Sequence, residues 1–169
     1  TLQAGNIVAI QYGTDYPDEF IVVSCHYDHQ DGPGADDNAS GTAGVLECAR
    51  IMSKYQFKRS ILYVCFNAEE YWMVGSFPFV ERCAEKNMNI LGCFNLYMLG
   101  FYPERLLDLK MFAGHALISK NLFDYYQNIT NLYLADIPID RFTENRASGD
   151  AKPFNVYEYP AIYIGDIEY

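Results

Sequence analysis

The chain has 169 residues, 50% of them hydrophobic, and a formal net charge of -10 at pH 7. This length and composition suit one domain with a sizeable core over residues 1–169, and exclude a disordered or fibrous chain. The acidic balance, with only 12 scattered lysine and arginine residues, argues against a nucleic-acid partner. No apolar run reaches the roughly 18 residues that a membrane span needs, so none is predicted.

Strand-like and helical patterns alternate along the sequence. Continuous apolar runs predict buried strands, and apolar residues three or four apart predict helices. In chain order these are strands at 6–10 and 20–25, a helix at 42–55, a strand at 61–66, a helix at 79–86, a strand at 90–98, a helix at 115–127 and a strand at 161–164. Such alternation predicts an α/β fold, with a mostly parallel central sheet in a three-layer α/β/α arrangement. Because strand-like segments lie close to both ends, we expect flanking segments of a longer protein to be missing.

The five cysteines give an odd count and include no C-x-x-C pair. At least two of them fall within apolar strand-like runs. We therefore predict buried free thiols and not a disulfide framework.

Polar residues follow two of the predicted strands and precede the first helix. They are His26 and Asp28 after the second strand, Asp36 and Asp37 before the helix, and Glu69 and Glu70 after the third strand. In open α/β sheets, ligands bind beyond the carboxyl ends of the strands. A lone histidine is usually structural and a lone glutamate pair is usually solvated. Together at one sheet edge, however, an imidazole and several carboxylates form a divalent metal site, for which zinc is the leading candidate.

The order and spacing of these residues resemble a family of zinc aminopeptidases. The family pattern, H-x-D, then G-A-D-D-x-x-S-G, then E-E, matches residues 26–28, 34–41 and 69–70. The family includes bacterial leucyl aminopeptidases, plasma glutamate carboxypeptidase and glutaminyl cyclases. The resemblance implies a zinc exopeptidase-like fold and a peptide with a free amino terminus as substrate. It slightly favours a secreted or periplasmic location.

The resemblance also implies a role for each residue. His26 would bind one zinc, Glu70 would bind a second, and Asp37 would bridge the two. Asp28 would hold the His26 imidazole in place, and Glu69 would be the general base that takes a proton from the attacking water.

Two neighbouring residues are possible alternatives. On chemistry alone Asp36 could bridge instead of Asp37, but the spacing of the family favours Asp37 and leaves Asp36 a structural role near the helix start. His29 could be recruited as a ligand, although many family members have a histidine there that does not bind metal.

Three positions depart from the family pattern. Tyr97 replaces the fourth metal ligand, an aspartate in N-L-D-M-x-G, and Ala151 replaces the fifth, a histidine in S-D-H-x-P-F. Trp72 stands where the family favours glycine. Ionising a tyrosine at neutral pH costs roughly 4 kcal/mol because its pKa is about 10, so Tyr97 is a poor substitute for a carboxylate. We expect the rings of Tyr97 and Trp72 to fill the volume left by a metal ion.

These departures lead to several functional hypotheses. Each metal keeps two protein ligands where catalytic zinc normally has three. This favours a zinc aminopeptidase-like protein with impaired or absent peptide hydrolysis and no stoichiometric zinc. Alternatively, one zinc bound by His26, Asp37 and Glu70 could support an active hydrolase that removes N-terminal amino acids. A non-catalytic binding module is the second alternative, and glutaminyl-cyclase-like acyl transfer comes last because Ala151 replaces a histidine that it needs.

Overall fold

The computed structural model of the protein describes residues 5–100, 111–115, 117–135, 139–142 and 148–165. Within these ranges seven strands form one sheet. The strands are β1 (Ile7–Gln11), β2 (Tyr16–His26), β3 (Arg59–Phe66), β4 (Asn89–Leu96), β5 (Met111–His115), β6 (Ile139–Phe142) and β7 (Ala161–Gly165). The α-helices are α1 (Gly41–Met52), α2 (Ser76–Glu85), α3 (Lys120–Tyr133) and α4 (Ala151–Val156). A distorted helical turn, Ala35–Ser40, precedes α1, and a 3-10 helix, Leu117–Ser119, precedes α3.

The sheet is mostly parallel, with the strand order β1-β3-β2-β4-β7-β5-β6. Strand β2 is parallel to β3 on one side and to β4 on the other, and β4 with β7 and β5 with β6 are also parallel pairs. Strand β1 is antiparallel to β3, and β5 is antiparallel to β7. The predicted α/β class with a mostly parallel sheet is therefore confirmed.

Helices cover both faces of the sheet. Successive residues of β2 point to opposite faces, as in any strand. Val22 packs in a core cluster that includes Phe154 of α4, and Val23 packs on the opposite face with Val45 of α1. On this second face Leu96, at the end of β4, also packs against the cluster formed by α3 and β7. The predicted three-layer α/β/α arrangement is confirmed.

The carboxyl ends of the central strands lie side by side. His26 is opposite Phe66 in the register of β2 and β3, and Ser24 of β2 is opposite Asn95 of β4. The ring of Phe66 is fully buried and meets the ring of Phe79 of α2 edge-on at 5.4 Å. Because this contact fixes the end of β3, it also fixes the start of the loop that follows.

Two predicted elements differ most from their bounds in the structure. Strand β2 begins at Tyr16, earlier than predicted, and His26 is its last residue and not the first residue after it. The helix predicted at 115–127 is α3, which begins only at Lys120, because His115 closes the strand β5. His115 was expected at a helix start, and that prediction was wrong.

Three short elements were not predicted from the sequence. Strands β5 and β6 have 5 and 4 residues and lack a run of β-branched apolar residues, and helix α4 has only 6 residues, fewer than two turns. Helix α4 also contains Pro153, which discourages a helix prediction. The proline is tolerated because it lies in the first turn, where its missing N–H would have no partner within the helix.

The prediction of free thiols, most of them buried, is confirmed. All five cysteines are free, and all of them are buried except the half-buried Cys48. In the part of the chain that the structure describes, no helix combines the length and apolar character required to cross a membrane.

Candidate metal centre

His26 is a buried side chain at the carboxyl end of β2, with 1% of its surface exposed. Its Nδ1 lies 3.0 Å from the backbone oxygen of Asp28 and 3.4 Å from Oδ1 of the same residue. Both neighbours are acceptors, which favours the tautomer with the proton on Nδ1. Nε2 lies 3.1 Å from Oδ1 of Asp37 and 4.0 Å from Oε2 of Glu69.

The carboxylate of Asp28 organises the loop that follows β3. Its Oδ1 accepts a hydrogen bond from the backbone N–H of Glu69 at 3.1 Å, and its Oδ2 accepts one from Glu70 at 3.2 Å. Asp28 therefore orients the imidazole of His26 and, at the same time, the backbone of two neighbouring glutamates.

Glu69 and Glu70 both direct a carboxylate toward the imidazole. One oxygen of each and a ring nitrogen of His26 all lie within 4.8 Å of one another. The side chain of Glu69 is 13% exposed. Its pKa is raised by burial and by the negative charges of Glu70, Asp37 and Asp28, while His26 opposes this effect. Several carboxylates thus crowd around a single imidazole.

Asp37 lies in the distorted turn before α1, where its backbone is not helical. The Asp37–Asn38 peptide bond is cis. The side chain of Asn38 holds this turn against the end of β4, because it donates to the Leu96 carbonyl and accepts from the N–H groups of Gly41 and Met98. The turn and the strand are therefore one unit at the site.

Asp36 makes different contacts from Asp37. Its Oδ1 accepts hydrogen bonds from the hydroxyl of Ser40 at 3.2 Å and from the N–H of Gly100 at 2.8 Å. These contacts tie the turn to the segment after β4 and leave the carboxylate engaged in structural bonds.

Tyr97 reaches the site from the segment that follows β4. Its hydroxyl donates a hydrogen bond to Oδ2 of Asp37 at 3.1 Å, and its ring lies 5.6 Å from the ring of His26. Burial and the negative charges of Asp37 and Glu69 raise the pKa of the phenol well above its usual value. Tyr97 is therefore a protonated hydrogen-bond donor to Asp37 at neutral pH.

Trp72 does not lie in the site. Its side chain is 86% exposed, so the prediction that its ring fills the volume left by a metal is wrong. The backbone at Trp72 has a φ of 65°, in the left-handed region that favours glycine. This conformation explains the glycine of the family pattern and turns the ring of Trp72 outward.

The segment that leads into α4 borders the site without providing a ligand at Ala151. A Cβ atom placed on Gly149 would lie 3.4 Å from Oε1 of Glu69. Ala151 is fully buried in the core, and its methyl group has no donor atom. His29 does not compensate, because its Nδ1 lies 3.4 Å from the Gln30 carbonyl and it is not part of the group around His26.

Sequence reasoning gave no role to Asp150, a buried carboxylate of the same segment. Burial raises its pKa well above the usual value, the hydrogen bond that it accepts from Ser76 opposes the shift, and the charges of Glu69 and Asp28 add to it. In the sequence, the only feature that sets Asp150 apart is its position beside Ala151, which replaces a metal ligand. A surface aspartate would otherwise look the same.

Two of the donors at this edge lie close enough together to bind one zinc-class ion. Nε2 of His26 and Oδ1 of Asp37 are buried and, among the described residues, neither has a hydrogen-bond partner, although they are only 3.1 Å apart. Donors of one tetrahedral zinc are about 3.3–3.6 Å apart, so this spacing suits a shared ion. The other oxygen of Asp37 accepts a hydrogen bond from Tyr97, and Ala151 has no donor atom.

The sequence model of Peptidase family M28 matches residues 6–169. The chain belongs to peptidase family M28. The M28 chain is 35% identical to Aminopeptidase YwaD of Bacillus subtilis over 108 residues, which cover 62% of this chain and 24% of YwaD. The expected relationship to zinc aminopeptidases is confirmed.

Solved structures of M28 relatives have the same fold. The LapA aminopeptidase of Legionella pneumophila has a TM-score of 0.83 and 27% identity, over 96% of this chain and 44% of LapA. BSAP, a zinc aminopeptidase from Bacillus subtilis, has a TM-score of 0.83 and 25% identity, over 95% of this chain and 39% of BSAP. This M28 chain therefore spans less than half the length of either relative.

Proposed function

We propose that this M28 chain is a zinc aminopeptidase-like protein in which peptide hydrolysis is impaired or absent. The hydrogen bond that Tyr97 donates to Asp37 carries this proposal. A carboxylate that bridges two metal ions uses both oxygens, and one oxygen of Asp37 already accepts from a phenol that remains protonated. The arrangement in which Asp37 bridges two metal ions is thus lost.

His26, Asp37 and Glu70 are the residues that would hold a remaining zinc ion. Bound zinc supplies Lewis-acid polarisation of a carbonyl and lowers the pKa of a coordinated water. Asp28 orients His26, because its backbone oxygen lies 3.0 Å from Nδ1 and its carboxylate lies 3.4 Å from the same nitrogen. The support for zinc is this donor set together with the zinc aminopeptidase relatives.

The surroundings of the site suit a peptide with a free amino terminus. An open cavity beside the site is lined by the acidic residues Asp31, Asp36, Asp37 and Glu70. Carboxylates grouped in a cleft raise the local concentration of cations, and the amino terminus of a peptide is positively charged at neutral pH. Peptide binding can therefore persist where hydrolysis does not.

An active single-zinc hydrolase is the second candidate, and the geometry of Glu69 favours it. Asp28 fixes the backbone of Glu69, and Oε2 of Glu69 lies 4.0 Å from Nε2 of His26. A buried carboxylate with a raised pKa at this position is suited to take a proton from water. This candidate requires that Glu69 stay free to accept that proton.

The test is the release of an N-terminal amino acid by the full-length protein. Aminoacyl p-nitroanilides and short peptides are incubated with the unmodified protein and with Glu69→Gln, each supplied with zinc. Impaired hydrolysis predicts that both proteins release product at the background rate. Release that a chelator stops and that Glu69→Gln abolishes would contradict the proposal and establish the active hydrolase.

A further inference from the structure

Two of the free thiols face each other across neighbouring strands. Cys25 of β2 is directly opposite Cys65 of β3 in the parallel register of the two strands. Both side chains pack in one core cluster, on the face of the sheet that α1 covers. Their exposed fractions are 0% and 6%, and both thiols are free. Neither belongs to the group of donors around His26.

The spacing of the two backbones is compatible with a disulfide. Neighbouring strands lie about 4.7–4.9 Å apart, and residues opposite each other in register have their Cα atoms at about this spacing. Cα atoms joined through a disulfide are usually about 4.4–6.8 Å apart. Because the two side chains also point to the same face, a bond between the sulfurs requires side-chain rotation and no movement of the strands.

The two thiols have different chemical environments. A hydrogen bond with Cys25 lowers the pKa of the Cys65 thiol, while burial opposes this effect. The same hydrogen bond, together with burial, raises the pKa of Cys25. Cysteines that respond to oxidants combine thiolate character and access with a neighbouring cysteine that completes the disulfide. Cys65 therefore has the character of the attacking thiol, and Cys25 that of the resolving thiol.

The other three cysteines do not share this arrangement. Cys83 and Cys93 pack in the cluster on the opposite face of the sheet. Cys48 packs from α1 against the same cluster as the pair, but the three sulfurs do not all lie within 4.8 Å of one another. The arrangement therefore favours a bond between two thiols over a metal site built from three thiolates.

We propose that Cys25 and Cys65 are a redox-active thiol pair, which a small peroxide oxidises to a disulfide between β2 and β3. The Cys65 thiolate attacks one oxygen of hydrogen peroxide and becomes a sulfenic acid as the O–O bond breaks. The other oxygen leaves as hydroxide and takes up the proton that Cys65 had lost. Cys25 then attacks the Cys65 sulfur, so the S–S bond forms, the S–O bond breaks and a second water leaves with the proton of Cys25. The two thiols lose two electrons, and the peroxide is reduced to two molecules of water.

Mapping of the thiols in the full-length protein tests this inference. The folded protein is treated with hydrogen peroxide, catalase removes the excess, and the chain is then unfolded in urea and alkylated. Mass spectrometry of the peptides is expected to find Cys25 joined to Cys65, with two of the five thiols lost. Dithiothreitol is expected to restore both. Cys48→Ser, the control for the most accessible thiol, is expected to form the same disulfide, whereas Cys65→Ser is expected to keep the thiol of Cys25.

Three results would overturn the inference. They are a disulfide between Cys65 and Cys48, a sulfinic acid at Cys65 beside an unchanged Cys25 thiol, and five free thiols after the peroxide treatment. The unmodified protein distinguishes these results by itself, so the test does not depend on the folding of Cys65→Ser. The inference goes beyond the proposed function, and none of these results alters the expectation for peptide hydrolysis.

Discussion

Asp28 connects more parts of the site than any ligand does. Its carboxylate lies 3.4 Å from Nδ1 of His26 and accepts the backbone N–H groups of Glu69 and Glu70. A carboxylate that accepts several hydrogen bonds in a buried position orders the groups around it, and its loss leaves those donors without partners. The geometry of the candidate ligands thus depends on a residue that need not touch the metal.

Asp28→Asn is expected to weaken both the fold and zinc binding. The amide nitrogen cannot accept, so one backbone N–H loses its partner and the free energy of unfolding falls by about 1–3 kcal/mol. Zinc affinity is expected to fall about 10–100-fold. Urea denaturation and zinc titration measure the two effects. Asp18→Asn, at an exposed position, is the matched control, and equal stability of the two variants would contradict the role given to Asp28.

The hydrogen bond from Tyr97 to Asp37 makes its own prediction. Tyr97→Phe removes the hydroxyl and leaves Oδ2 of Asp37 without that donor, which is expected to lower the free energy of unfolding by about 1 kcal/mol. The effect is modest because the Asp37 side chain is 34% exposed. Tyr71→Phe, on a ring that is 64% exposed, is the control and is expected to leave stability unchanged. If thermal denaturation shows the same change for both variants, the bond has no stabilising role.

At the residue scale, the sequence predicts where the site lies but not how the substituted residues behave. His26, Asp28 and the glutamates follow predicted strands in a specific order, and the structure brings them together with Asp37. The hydrogen bond of Tyr97 could not be predicted, because it depends on the approach of β4 to the turn before α1. The prediction for Trp72 failed because a left-handed backbone, which sequence does not reveal, turns its ring outward.

Among the elements, the central strands were the most predictable and the short peripheral ones the least. β2 and β3 are buried on both faces and appear as unbroken apolar runs. β6 and α4 have 4 and 6 residues, and their place is determined by the strands they pack on. The edge strand β1 was predicted as a strand, but its antiparallel direction was not predicted, because strand direction depends on tertiary pairing.

The different burial of strands and helices predicts which cysteines react. Burial raises the pKa of Cys93 in β4 to about 12, and a hydrogen bond with Cys65 together with burial raises the pKa of Cys25 in β2. Because the thiolate is the reactive form, both thiols are expected to resist iodoacetamide at pH 8 in the folded protein. The half-buried Cys48 of α1 is expected to be alkylated first because its sulfur is the most accessible of the five, although burial and the charge of Glu47 raise its pKa as well.

Peptide mapping by mass spectrometry follows this order of modification. In urea all five cysteines are expected to be alkylated at similar rates, which serves as the control. Alkylation of Cys93 as fast as Cys48 in the folded protein would show that β4 is more accessible than the structure indicates.

On the scale of the whole molecule, one sheet edge collects the functional groups. The parallel strands β2, β3 and β4 end at this edge, so segments far apart in sequence meet there. The alternation of strands and helices was enough to predict such an edge, and the match to M28 confirms the family. A single domain over residues 1–169 and a secreted or periplasmic location stay predictions.

The zinc content of the full-length protein tests the loss of the two-metal arrangement most directly. The protein is saturated with zinc, freed of excess metal by gel filtration and measured by plasma mass spectrometry. One zinc ion per chain is predicted, in place of the absence of stoichiometric zinc expected from the sequence, because His26 and Asp37 lie 3.1 Å apart while Tyr97 donates to the other oxygen of Asp37 and Ala151 provides no donor. Two zinc ions per chain would contradict the loss of the two-metal arrangement.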